Sequence, residues 1–305
     1  MSEKTIVAAL DVGGAKIAAA AVDEDGKILH RTRYANEGGG AFVLDVCGRA
    51  VRGLMERFDI SAVGISTVGH VEPAAGRIEF AVNIEGYAGV AMGDEMRERT
   101  GLPAAVGNDG RMALFGERWK GAAQGCGDIF GVVLGTGVGG GYVTGGVPVY
   151  GAGYAAGEIG HSILYPGGYP CPCGQNGCAE QYISGSALWK NYNRRAGAHL
   201  ISSGHDFFKL LEEGGGTARD VLADFVSDLA SCAVSIANIL APEAIIFGGG
   251  LMDTSDRWWE SFKESYLKQG NPRVRVTRLV KAALGNDAAL IGAAWSALGK
   301  LGVIG

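Results

Sequence analysis

The sequence predicts an α/β protein made of two similar domains, each with a βββαβα core, facing across a cleft. Three observations predict it. Short apolar runs with strand character alternate with helical-period segments along the chain. The N-terminal hairpin pattern "AALDVGGAKIAAAAVDEDGKI" restarts in mid-chain as "GVVLGTGVGGGYVTGGVPV", the mark of an internal duplication. Glycine, at 52 of 305 residues, gathers into tight clusters beside strands, "LDVGGAK", "LGTGVGGG" and "IIFGGG", rather than at a collagen period or in a linker. Each cluster alone reads equally well as a β-turn. Together they suggest backbone approaching a nucleotide from two lobes.

The elements follow in order. "TIVAAL", "KIAAAAV" and "KILHRTRY" read as strands with short polar turns between them, one of them "DEDG". "FVLDVCGRAVRGLMERF" has apolar residues at helical spacing, and "AVGIST" is a buried strand. "VAMGDEMRERTG" is a helix that stops at Gly101, with Pro103 beyond it. "PAAVGND" is a short strand and "GRMALFGERWKG" a helix. The second series runs "DIFGVVLGTGVGGGYVTGGVPV" (strand, turn, strand), the long amphipathic helix "RDVLADFVSDLASCAVSIANIL" and the buried strand "EAIIFGGG". The closing helix is "NDAALIGAAWSALGK". The first domain is expected over residues 1–115 and the second over 116–286. A C-terminal helix of about 287–305 packs back on the first.

Composition narrows the function. A chain of 305 residues is ample for a sizeable core, and 47% hydrophobic with 19% charged residues reads as globular. A net charge of −5 and a pI near 5.6 offer nothing to a nucleic-acid backbone or an acidic membrane surface. No apolar run reads as a membrane span, and no signal-peptide core precedes the first strand. The expectation is a cytoplasmic protein with reduced cysteines.

The motifs resemble the ROK family of sugar kinases and repressors, within the actin-like (ribonuclease H-like) superfamily. "LDVGGAK" resembles its first phosphate motif, "GNDG" its catalytic Asn-Asp pair and "LGTGVGGG" its second phosphate motif. "GEIGH" followed by "CPCGQNGCAEQY" resembles its sugar-and-zinc signature, and "IIFGGG" its adenosine motif. The resemblance covers nearly the whole chain and implies an ATP-dependent hexose kinase acting on the 6-hydroxyl of glucose or an N-acetylhexosamine such as N-acetylmannosamine. It also implies a homodimer with no nucleic-acid or membrane partner.

The same resemblance assigns residues. His161, Cys171, Cys173 and Cys178 make a Cys₃His set. Its four filled positions suit structural zinc rather than a hydrolytic metal; the alternative is unligated or redox-active thiols. Cys47, Cys126 and Cys232 read as ordinary buried thiols. Glu158, His161 and Glu180 would bond sugar hydroxyls, since a carboxylate offers two acceptor oxygens to paired hydroxyls; the alternative for either glutamate is a solvated charge. Asn108, Gly69 and Asn83 join the sugar side. Gly13, Gly14, Lys16, Gly135, Thr136 and Gly137 would meet the phosphates, and Gly248, Gly249 and Gly250 the adenosine. Asp11 would hold the Mg²⁺ that accompanies ATP, through water, or serve as a turn former.

Asp109 is the catalytic candidate. Phosphoryl transfer needs alignment, charge neutralisation and a carboxylate to receive the hydroxyl proton. Asp109 follows a strand and opens a helix, where a helix N-cap is the alternative reading. Two departures from the family pattern stand out: Ala15 replaces the usual Thr, and Arg111 stands where a small or amide residue is common. They motivate a second reading, a non-catalytic sugar-sensing protein. Asp11, Lys16, Asn108 and Asp109 favour the enzyme. A repressor needs a DNA-binding helix-turn-helix, and only four residues precede the first strand.

Overall fold

The computed structural model describes residues 4–81 and 84–304. The chain divides into two compact units. One comprises Met1–Gly125, Tyr150–Ala156 and Ala283–Gly305, the other Cys126–Val149 and Gly157–Ala282. The boundary expected at residue 115 falls inside a helix, and the first unit extends to Gly125.

The elements of the first half are β1 (Ile6–Val12), β2 (Lys16–Asp23), β3 (Ile28–Ala35), α1 (Gly40–Met55), β4 (Ile60–Thr67), β5 (His70–Glu72), β6 (Arg77–Phe80), α2 (Met92–Thr100), β7 (Ala104–Asn108) and α3 (Asp109–Lys120). There follow β8 (Ile129–Leu134), β9 (Val138–Thr144), β10 (Val147–Val149), α4 (Glu180–Ile183), α5 (Gly185–Ala196), α6 (Gly204–Glu212), α7 (Gly216–Leu240), β11 (Ala244–Gly248), α8 (Trp259–Gln269), β12 (Arg278–Lys281) and α9 (Ala288–Lys300).

The duplication is present as topology. The first unit's sheet has the order β3-β2-β1-β4-β7, the second's the order β10-β9-β8-β11-β12. In each, two antiparallel pairings are followed by two parallel ones. The small hairpin β5-β6 stands apart from both.

Both faces of the first sheet are covered, which is why β1 and β2 read as unbroken apolar runs. Ala8, Leu10 and Val12 enter one cluster with Val43, Cys47 and Leu54 of α1 and Met96 of α2. Val7 and Ala9 enter the opposite cluster with Leu290, Ala294 and Leu298 of α9. The residues on that second face are small because the backbones come close. A Cβ at Gly64 of β4 would lie 1.9 Å from the Ala293 carbonyl oxygen of α9.

The second unit centres on Phe130, Val132 and Leu134 of β8, Ile245 and Phe247 of β11, and the face of α7 bearing Val221, Phe225, Leu229 and Ala233. Trp258, Trp259 and Phe262 close it in edge-to-face contact with Phe225 and Phe247. At 25 residues, α7 is long and apolar enough to cross a membrane, contrary to the expectation that no run has that character. Half of its most apolar stretch is buried inside the unit, where it packs with α5 and α8. The apolar length is a core helix's need for partners.

Candidate functional site

In the first unit, the β1-β2 turn carries Asp11, Gly13, Gly14 and Lys16. The turn is closed by the Gly13 N–H donating to the Lys16 carbonyl at 2.9 Å. The Asn36 side chain holds the Gly13 carbonyl at 2.8 Å. Asp11 lies in register with Ser66 on the parallel strand β4, and the Ser66 hydroxyl donates to its Oδ1 at 2.8 Å. Burial pushes the Asp11 carboxyl above the ordinary carboxylate range, against the opposing pull of the Ser66 hydroxyl and the Lys16 charge. A bound cation would stabilise that buried charge further, so the turn fits a Mg²⁺-binding role. Ser66 and Asn36 were absent from the sequence assignments. The signal for Ser66 was its place at the end of the strand beside Asp11.

At the end of β7, both side chains of the Asn-Asp pair accept from amides at the start of α3. Asn108 is the cap of α3: its Oδ1 accepts from the Arg111 N–H at 3.3 Å, while its Nδ2 donates to the Gly69 carbonyl at 3.0 Å. Asn108 and Gly69 are thus together, with Gly69 at φ +97°. Asp109 is the first helical residue, and its Oδ1 accepts from the Gly110 N–H at 2.8 Å. Asn83 lies outside the described residues.

Arg111 has a structural task. It is 2% exposed, and its Nη2 donates to the Tyr154 and Ala156 carbonyls at 3.1 and 3.2 Å. Its guanidinium lies 4.9 Å from the Tyr150 ring centre. It holds the segment Tyr150–Ala156 in the first unit, where the Tyr154 hydroxyl also donates to Glu72 at 3.2 Å.

In the second unit, the β8-β9 turn is also closed by a backbone bond, but a tighter one, with the Gly135 N–H donating to the Gly137 carbonyl at 2.9 Å. Gly249, at φ +90°, lies against the end of β8: a Cβ there would be 2.4 Å from the Leu134 carbonyl oxygen. The clusters Gly135–Gly137 and Gly248–Gly250 therefore adjoin, with Thr136 exposed at the tip.

Glu158, His161 and Glu180 are all half-buried. A short 3₁₀ turn over Ile159–His161 presents the first two, its Gly160 pressed against Val138. Glu180 opens α4, and its Oε2 accepts from the Val138 N–H at 2.9 Å.

His161, Cys171, Cys173 and Cys178 converge, with one ligand atom from each lying within 4.8 Å of the others. Cys173 Sγ is 3.5 Å from Cys178 Sγ, and Cys171 Sγ is 3.9 Å from His161 Nδ1. Tetrahedral zinc with ordinary bond lengths sets such atoms roughly 3.4–3.8 Å apart; these two pairs lie near that spacing, and the Cys₃His donor set fits zinc. Burial raises the Cys178 thiol to about 12; burial also opposes charge on Cys173, but hydrogen bonds from Gln175 bring that thiol down to about 6. Cys47 and Cys232 are buried thiols, both raised to about 12 by burial, and Cys126 is buried beside Arg278.

Two duplicated sheets of this order, each with a glycine turn in its first hairpin, place the chain among actin-like sugar kinases in fold. It belongs to the ROK family, whose profile it matches over residues 7–300. The chain is 34% identical over 307 residues to a glucokinase of Streptomyces coelicolor, covering 93% of this chain and 95% of that one. It is 30% identical over 301 residues to an N-acetyl-D-glucosamine kinase of Citrobacter koseri, covering 93% and 97%. Among solved structures it is similar to a ROK family glucokinase from Streptomyces griseus in complex with glucose and AMPPNP. That match has TM-score 0.81 and 32% identity, and covers 96% of this chain and 99% of that one.

Proposed function

We propose that the protein is an ATP-dependent kinase that transfers the γ-phosphoryl group to the 6-hydroxyl of glucose or of an N-acetylhexosamine such as N-acetylmannosamine. The observation that carries this is the end of β7, where Asn108, bonded to the Gly69 carbonyl, and Asp109 stand side by side at the start of α3. Family membership and the glucokinase and N-acetylglucosamine kinase relatives support the same chemistry.

In this reading Asp109 takes the proton from the 6-hydroxyl. The 6-oxygen bonds to the γ-phosphorus as the bond from that phosphorus to the ADP oxygen breaks. Asn108, Gly69, Glu158, His161 and Glu180 orient the sugar. The amides of Gly13, Gly14, Gly135, Thr136 and Gly137, with Lys16, receive the phosphates, and Gly248–Gly250 flank the adenosine. Asp11 would hold Mg²⁺, which neutralises phosphate charge when bound. His161, Cys171, Cys173 and Cys178 would hold zinc, whose role is to fix the loop that precedes Glu180. A homodimeric, cytoplasmic enzyme belongs to the same reading and rests on resemblance alone.

The test is Asp109→Asn. General-base catalysis is worth about 10²–10⁴-fold, so kcat should fall by at least about two decades. Sugar affinity should fall less, and the melting temperature should hold because Asn108 remains the cap. A loss in kcat below about tenfold, with the fold intact, would assign the proton to another acceptor.

A further inference from the structure

The residues assigned to the sugar and those assigned to the phosphates meet at one place in the second unit, the start of β9. Val138 follows Gly135–Gly137 directly. Its N–H donates to Glu180 Oε2 at 2.9 Å. A Cβ at Gly160, between Glu158 and His161, would lie 2.2 Å from the Val138 carbonyl oxygen. A Cβ at Gly137 would lie 2.4 Å from Glu180 Oε2 and 3.9 Å from Oε1. At the other end of the turn, the Gly185 N–H donates to the Gly135 carbonyl at 2.8 Å. The run from Cys178 to Gly185 therefore grips the glycine turn at both ends, and Glu180 is the only charged group in that grip.

We infer that Glu180 bridges the two ligand sites: one carboxylate oxygen fixes the phosphate-binding turn through Val138, and the other is turned to the sugar. The inference rests on the kinase reading and adds a positioning role to a sugar contact. The physical basis is that a carboxylate's two oxygens can serve two partners at once, and that a charged acceptor holds an amide more firmly than a neutral one. A sugar hydroxyl on Oε1 would order the carboxylate, and with it the turn. By linkage, nucleotide on the turn would order the carboxylate for sugar by the same factor. A side chain at Gly137 would displace the Glu180 carboxylate from this position.

The experiment measures Mg²⁺-ADP binding by calorimetry with no sugar present, in the wild type, Glu180→Ala and Glu180→Gln. The lost bond lies within the protein and not to ADP, so binding feels only the part of it that orders the turn, and Glu180→Ala should weaken ADP by more than about twofold and up to about tenfold. Gln keeps an oxygen for the Val138 N–H, so Glu180→Gln should recover most of the ADP affinity while remaining poor for sugar. The converse arm is Gly137→Ala, in which binding of the hexose that the wild type turns over should weaken with no nucleotide present. This arm also stands if Glu180→Ala does not fold. ADP affinity of Glu180→Ala within twofold of wild type, or unchanged hexose affinity in Gly137→Ala, overturns the bridge. A wild type that binds neither ADP nor any hexose overturns the kinase reading instead.

Discussion

Asp11 has a titration with a definite sign. Its carboxyl is raised in the folded protein chiefly by burial, so the folded chain holds a proton there at pH values where the unfolded chain has released it. Stability from this group is therefore lost as pH rises from the ordinary carboxyl range through the folded value, and above that the charge is a standing cost. Asp11→Asn removes the charge and keeps an acceptor for Ser66. The ligand-free variant should melt at or above the wild-type temperature near neutral pH, and the gap should close as pH is lowered through the carboxyl range. Its turnover should be lost, as expected when an active-site charge is held at a cost to stability. A scan of melting temperature against pH for both proteins checks this; a variant less stable at neutral pH contradicts it. The sequence named Asp11 but not Ser66, because that contact depends on strand register. It treated Arg111 as a departure in a catalytic region, whereas its partners are carbonyls 43 and 45 residues away. No local pattern encodes them.

Helix α9 shows how close packing selects among glycines. A Cβ at Gly292 would lie 1.7 Å from the Met112 carbonyl oxygen of α3. A Cβ at Gly299, seven residues on, finds only the Ile304 carbonyl oxygen at 3.9 Å. Gly292→Ala should destabilise by about 1–3 kcal/mol or more through overpacking. Gly299→Ala should stabilise by up to about 1 kcal/mol through helix propensity. Chemical denaturation of the two single variants checks the pair, and equal effects would mean that the α3-α9 contact yields readily. The zinc loop makes a second element-level prediction. Protein purified without added metal should carry about one zinc per chain, because the four donors form a closed set. Zinc affinity should fall as pH is lowered, since protons compete for the thiols and the imidazole. Metal analysis showing no zinc in fully active protein would contradict this. The ligand spacing of this loop was readable because its donors lie close in sequence. The strands and the helices α1, α3, α7 and α9 were readable from periodicity. The hairpin β5-β6 and the edge strand β12, whose strands are three or four residues long, and the helices α5, α6 and α8, of 9 to 12 residues, were not singled out; so short an element carries little periodic signal.

The duplication of one sheet order in two units is the feature that organises the whole chain. The hairpin restart announced it, since repeated glycine turns beside buried strands survive in the sequence as pattern. Where the units divide was less visible. The first unit takes back Ala283–Gly305, the return expected of the closing helix, and also Tyr150–Ala156, whose return leaves no change in composition. The proposed reaction stands or falls on turnover by the intact chain. The most direct measurement is release of ADP from Mg²⁺-ATP against a panel of glucose, N-acetylglucosamine, N-acetylmannosamine and 6-deoxyglucose, with the phosphorylated position read by phosphorus NMR. The account predicts ADP release stoichiometric with a 6-phosphate on at least one of the first three sugars, and none with 6-deoxyglucose. Absence of ADP release with every hexose, or phosphate on a different hydroxyl, would contradict it.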